Sequence, residues 1–142
     1  MTPELIPFDA DNLLSWQGLA DAFLEDHAKP KAEIGDTFLY RGEDTMLTRS
    51  AWIDGLGIAV KTANIMPGNP GRGEPMIHGA VNLYDDTTGL LEAIVDFHLV
   101  TKWKTAGDSA LGARLLARPD SKVVLIVGAG TVGRNLRMAY EA

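Results

Sequence analysis

The sequence predicts an α+β domain over residues 1–118, followed over 119–142 by the first strand and helix of an α/β domain. Three observations carry that reading. An amphipathic helical stripe near the N-terminus and an alanine- and leucine-rich stretch at 99–117 bracket five short strand-like runs. A loop rich in proline and glycine interrupts those runs. The final segment then changes character, passing from a continuously apolar β-branched run through a glycine turn into helix-forming residues.

In chain order, Leu13, Trp16, Ala20, Phe23 and His27 step by three and four, the spacing of one helix face. Asp11 or Asn12 can cap its start and Pro30 bars its continuation. Strands are expected at Thr37–Tyr40, Thr45–Arg49 and Gly57–Ala63, with Arg41-Gly-Glu-Asp44 as a hairpin turn between the first two. Residues 64–75 are loop. Strands at Met76–Tyr84 and Leu90–Asp96 flank the turn Asp85-Asp-Thr-Thr-Gly89, and a helix is expected over Leu99–Ala117. Lys122–Val127 reads as a strand buried on both faces, and Arg134–Ala142 as a helix.

Charge divides the chain. Residues 1–100 hold sixteen acids and six bases; residues 101–142 hold three acids and seven bases. An acidic first part argues against nucleic acid or an anionic membrane as partner, and a basic last part suits an anionic cofactor. No cysteine is present, which excludes disulfides, thiolate zinc sites and a cysteine nucleophile. With no signal-peptide pattern at the start and no apolar run of membrane-spanning length, a cytoplasmic location is expected.

Gly128-Ala-Gly130-Thr131-Val132-Gly133 stands between the predicted strand and helix, the context in which a G-x-G-x-x-G turn binds a dinucleotide. Gly128 allows the tight turn, Gly130 lets a pyrophosphate approach the backbone, and Gly133 permits close helix–strand packing. This is the opening of a Rossmann domain that would need roughly another hundred residues. The acid that grips the ribose belongs ~20 residues beyond the turn, past Ala142, so NAD, NADP and even FAD stay open.

With that turn placed, the residues before it form a recognisable series. Gly57-Ile-Ala-Val-Lys61-Thr, Pro67-Gly-Asn-Pro70, His78-Gly79, the Asp85–Gly89 turn and Val100-Thr-Lys-Trp-Lys104-Thr105-Ala-Gly107-Asp-Ser-Ala-Leu-Gly112 occur in order. Together with Val127-Gly-Ala-Gly130 they resemble the ornithine cyclodeaminase/mu-crystallin family. The resemblance implies a substrate-binding and dimerisation domain at 1–118 and the start of an NAD(P)-binding Rossmann domain at 119–142. It further implies NAD or NADP as cofactor, a small amino or imino acid as substrate, a homodimer, and hydride transfer at the substrate α-carbon.

Lys61 then corresponds to the family lysine near the substrate carboxylate and reacting centre, the candidate catalytic residue. Lys104 and Thr105 open the helix motif that usually reads R-T-A-A, so Lys104 replaces a carboxylate-binding arginine, and Thr105 joins Gly128, Gly130, Thr131, Val132 and Gly133 on the cofactor side. Lysine offers a point charge where arginine offers a planar fork, so the swap bears on the substrate. A further family arginine has Arg41 or Arg49 as counterpart, Arg41 being the choice here, and His78 completes the substrate set. The family's catalytic aspartate lies beyond Ala142.

Each residue also has a plainer reading. Lys61 shares a strand face with Gly57, Ala59 and Ala63, which leaves room for a ligand, yet lysines also guard edge strands. Lys104 has Asp108 at i+4, the spacing of a surface ion pair. His78 shares a face with Asn82 and can simply bond backbone, while His27 and the isolated His98 read as structural. Trp16, Trp52 and Trp103 read as core or interface. The expected function is the N-terminal part of an NAD(P)-dependent oxidoreductase or deaminase, inactive as 142 residues alone. The alternatives are a non-catalytic NAD(P)H- and ligand-binding protein and a truncated dimerisation fragment.

Overall fold

The computed structural model describes residues 2–142 and divides into two compact units, one comprising the chain up to Ala10 with Lys29–Leu99, the other Asp11–Ala28 with Val100–Ala142. The first is built on a six-stranded sheet of β1 (Glu4–Ile6), β2 (Glu33–Arg41), β3 (Asp44–Ile53), β4 (Gly57–Ile65), β5 (Ile77–Tyr84) and β6 (Leu91–Asp96). Its order is β1-β6-β5-β4-β3-β2: an antiparallel meander, with β1 added in parallel to β6.

The meander follows from its turns. Gly42 and Glu43 form a two-residue hairpin with Gly42 at φ 60°, which sets Arg41 opposite Asp44. The Asp85 carboxylate accepts the Thr87 and Thr88 backbone N–H groups and so folds the expected turn before β6. At the other hairpin end, Asp86 accepts Trp52 Nε1–H at 2.7 Å and Gly55 N–H at 2.9 Å, tying the β3–β4 turn to the β5–β6 turn. β2, β3 and β4 run longer than the apolar runs predicted, because hairpin pairing continues through the polar residues on either side, whereas β5 and β6 each start one residue later than expected. Inside the 64–75 loop a 3₁₀ turn forms at Asn69–Arg72. The core of this unit lies on one sheet face, where Ala63, Val81, Ala93 and Val95 are buried with Phe97 and Leu99.

Helices form the second unit: α1 (Trp16–Asp26), all but the first three residues of α2 (Phe97–Leu116), and α3 (Thr131–Glu141). The cap of α1 is Ser15, whose Oγ accepts the Gly18 N–H, rather than Asp11 or Asn12. Asp11 is drawn elsewhere. It sits in a 3₁₀ turn, Phe8–Leu13, and its carboxylate accepts Lys102 Nζ at 2.7 Å and Trp103 Nε1–H at 2.7 Å. The same turn leaves Leu13, expected on the helix stripe, 86% exposed. Trp103 is buried and stacks on Trp16 at 4.1 Å between ring centroids.

The run Lys122–Val127, expected as a buried strand, pairs with no other segment among the described residues, and Val127 is 92% exposed. A parallel strand exists only through its neighbours, and no described segment supplies one. The helix after it does form, and starts three residues earlier than its composition suggested.

Candidate functional site

Register places the charged residues. Arg41 opposite Asp44 puts Asp36 opposite Arg49, and Arg49 stands opposite Lys61 on the next strand. Lys61 in turn faces Val81, and Val81 faces Val95. Directly opposed residues point to one side of a sheet, with Cβ atoms about 4.5–5.5 Å apart. Asp36, Arg49 and Lys61 therefore form a row across three strands, on the face that also carries the core.

Arg49 donates from Nε to Asp36 Oδ1 at 2.7 Å and from Nη2 to Asp36 Oδ2 at 2.6 Å. The hydrogen bond from Arg49 holds the Asp36 carboxyl below its ordinary value, and the reciprocal bond raises the Arg49 guanidinium. Lys61 Nζ lies 5.2 Å from the centroid of the Phe97 ring, a cation–π contact that places the ammonium beside the first residue of α2. Ala51, Ala59 and Leu83, one row along from Arg49 and Lys61, line a hollow of about 310 Å³ at the β3–β4 turn together with Leu56, Tyr84 and the carboxylate-bearing Glu92. Ala51 and Ala59 are small residues in the row next to the two cations.

Arg41 and His78 lie elsewhere. Strand alternation turns both to the opposite face, where they line a separate hollow of about 420 Å³ with Leu39, Met46, Asn64 and Met66. Arg41 is at the hairpin tip, bonded to Asp44 at 2.9 Å and 82% exposed. Arg49, not Arg41, shares the Lys61 row. His98 is not isolated: its ring meets His78 edge-on at 5.8 Å and Phe97 at 5.5 Å. The row was recoverable in principle, because a two-residue hairpin at Gly42-Glu43 sets the parity of every residue in β2 and β3.

In the helical unit, Lys104 forms an ion pair with Asp108 one turn on, the plainer of its two sequence readings. It stands eighth in α2, two turns in rather than at the helix start. Thr105 is exposed beside it. Gly107, where the usual motif has alanine, packs against α1: a Cβ there would lie 2.4 Å from Leu19 Cδ2 and 3.3 Å from the Phe23 ring.

The glycine turn, which no paired strand precedes among the described residues, keeps two features of its motif. Gly128 takes φ 109°, and a Cβ on Gly133 would come within 2.2 Å of the Gly128 carbonyl oxygen. Gly130 is the N-cap of α3, with open space where its Cβ would be, and Thr131 and Val132 begin the helix exposed. The first turn carries no acidic residue, so its free N–H groups face outward without a competing anion. Those residues fit the diphosphate of a dinucleotide. Among the described residues, no three histidine or acidic side chains gather as a metal site, and no helix is long and apolar enough to cross a membrane.

The chain is similar in sequence and in fold to several known proteins. The model of the ornithine cyclodeaminase/mu-crystallin family matches residues 44–142. A Δ1-pyrroline-2-carboxylate reductase of Paracoccus denitrificans is 50% identical over 141 residues, 99% of this chain and 45% of the relative. An L-lysine cyclodeaminase of Streptomyces rapamycinicus is 38% identical over 77 residues, 54% of this chain and 22% of that protein. Among solved structures, an archaeal alanine dehydrogenase dimer with bound NAD superposes with TM-score 0.87 at 25% identity, covering 99% of this chain and 45% of its own. The Thermococcus litoralis Δ1-pyrroline-2-carboxylate reductase, in complex with NADH and L-proline, superposes with TM-score 0.80 at 27% identity over 96% of this chain and 45% of its own. The chain thus spans about half the length of these full-coverage relatives.

Proposed function

The chain belongs to the ornithine cyclodeaminase/mu-crystallin family, and from that premise we propose that it is the substrate-binding part of an NAD(P)-dependent imine reductase. The preferred substrate class is a small cyclic imino acid with its C=N bond next to the carboxylate. Identity of 50% to a Δ1-pyrroline-2-carboxylate reductase across 99% of the chain is the observation that carries this reading. Residues 1–118 form the substrate-binding and dimerisation domain, and 119–142 open the cofactor domain.

In this reading Arg49 and Lys61 hold the substrate carboxylate from adjacent strands, and the hollow over Ala51, Ala59 and Leu83 takes the hydrocarbon part of the ring. Two cations against one carboxylate favour the anionic substrate, and each charge-assisted bond contributes about 1.5–3 kcal/mol. Lys104 keeps the carboxylate role that the resemblance implies, exchanging Asp108 for substrate. Thr105, Gly128, Gly130, Thr131, Val132 and Gly133 hold the dinucleotide, whose nicotinamide supplies the hydride when bound. The protein's own task is to fix the acid in one orientation, so that its imine carbon meets that ring in a single pose.

Steady-state kinetics of the complete protein with Δ1-pyrroline-2-carboxylate and NADH or NADPH test the proposal, with ornithine and lysine as comparison substrates. Reduction of the imino acid with kcat/KM at least tenfold above deamination of either diamino acid is the expected result. Dominant ammonia release from ornithine or lysine would assign the cyclodeaminase branch instead, and dinucleotide binding without turnover would assign a binding protein.

A further inference from the structure

We propose that Asp36 is a positioning residue for Arg49, fixing one edge of its guanidinium so that the other edge is presented to the substrate carboxylate. This rests on the reading of Arg49 and Lys61 given above. A guanidinium is planar and carries five N–H groups arranged as more than one fork, each matched to a carboxylate. Asp36 takes the side edge of Arg49, through Nε and Nη2, with one carboxylate oxygen on each. The end edge, formed by Nη1 and the second N–H of Nη2, is not used by Asp36.

Asp36 and Arg49 are directly opposed across β2 and β3, so the pair is set by backbone register and not only by two long side chains finding each other. An arginine held on one edge has lost most of its rotamer freedom before substrate arrives, and binding at the other edge then needs less ordering. Asp36 also balances one of two neighbouring cations. These two effects have opposite signs on affinity: loss of positioning weakens carboxylate binding, whereas loss of the negative charge strengthens it. The sign of the change therefore separates positioning from mere neutralisation. An exposed ion pair with only a structural role would shift stability slightly and leave both constants alone.

The test is steady-state reduction of Δ1-pyrroline-2-carboxylate by the complete protein, with dinucleotide affinity measured in parallel. Asp36→Asn is expected to raise KM for the imino acid about tenfold, the scale of one lost charge-assisted bond, with kcat and dinucleotide Kd within twofold. Asp36→Glu should recover most of that loss. Arg49→Met should raise KM at least as far, and adding Asp36→Asn to it should raise KM no further. Arg49→Lys keeps the charge without the second fork, and should make KM insensitive to Asp36→Asn; this arm serves if Asp36→Asn alone does not fold. A KM unchanged or lowered in Asp36→Asn, or losses that add in the double variant, overturns the positioning role. If Arg49→Met raises KM while Asp36→Asn does not, the carboxylate reading stands and only the positioning role falls. If Arg49→Met leaves KM unchanged, the carboxylate reading falls and the positioning role falls with it.

Discussion

Lys102 and Asp11 are ninety-one residues apart in the chain and meet at 2.7 Å, the ammonium 13% and the carboxylate 24% exposed. The same carboxylate receives the Trp103 indole N–H, and Lys102 Nζ lies 5.3 Å from the centroid of the Trp103 ring. A single aspartate thus fastens the segment before α1 to the middle of α2. The hydrogen bond from Lys102 lowers the Asp11 pKa below its ordinary value of 3.8, against the opposing effect of burial.

Asp11→Asn should therefore destabilise the chain by about 1–3 kcal/mol, since it leaves a largely buried ammonium without its counter-charge. A group whose pKa is depressed by folding contributes stability that is complete above its unfolded pKa and lost as pH falls through the folded value. The wild type should lose that contribution only below pH 3.8, and the variant should show a flatter acid limb there. Urea melts monitored by tryptophan fluorescence at pH 7 and pH 3 check both statements; equal acid limbs would contradict the second.

Lys61→Met should raise KM for the imino acid 10- to 100-fold, the kinetic equivalent of one charge-assisted bond, and leave dinucleotide affinity nearly unchanged. Lys104→Met should act in the same direction. Asp108→Asn, which frees Lys104 from its ion pair, should lower KM. Rate constants within threefold of wild type for both methionine variants would end the carboxylate assignment.

Gly133→Ala should abolish dinucleotide binding by the complete protein. The atom that the new Cβ would meet, at 2.2 Å, is the Gly128 backbone oxygen, which cannot swing aside as a side chain can. Quenching of intrinsic fluorescence by NADH measures it, and a Kd within threefold of wild type would show that the turn tolerates the methyl group.

Dimerisation should occur through the first domain. β2 is an edge strand exposed along its whole length, with Phe38 and Tyr40 stacked at 6.2 Å and Tyr40 71% exposed. Such an edge is an association hazard unless it is covered. Sedimentation of the complete protein at tens of micromolar, an order-of-magnitude range for obligate association, should give a dimer, and a well-behaved monomer would refute it.

The isolated 142-residue chain should turn over no imino or amino acid, because one glycine turn and one helix do not enclose a nicotinamide. Absence of NADH oxidation above background with Δ1-pyrroline-2-carboxylate is the expected outcome; measurable turnover would contradict it.

Local chemistry was legible in the sequence where local chemistry decides. Gly42-Glu43 and Asp85–Gly89 make turns whatever surrounds them, so both hairpins were found. The three residues of β1 were missed because so short a run carries no periodicity and is stabilised only by pairing with β6. Asp11 and Asn12 both have the side chain of a helix cap, and the partner that claims Asp11, Lys102, is remote in sequence. Sequence alone leaves Arg41 and Arg49 side by side as candidates, because nothing about either residue says which face it takes. Strand character at Lys122–Val127 could be read, but composition cannot supply a partner strand.

The hairpin that carries Asp36 and Arg49 also restricts how this chain can change by insertion and deletion. Loss of one residue between Arg49 and the Gly42-Glu43 turn, with Arg49 held opposite Lys61 by the β3–β4 hairpin, would slip β2 by a step and turn Asp36 to the other face. Loss of two, one from each strand flanking the turn, would shorten the ribbon and keep the row. Length variation among functional descendants of this sequence should therefore occur in matched pairs along β2 and β3.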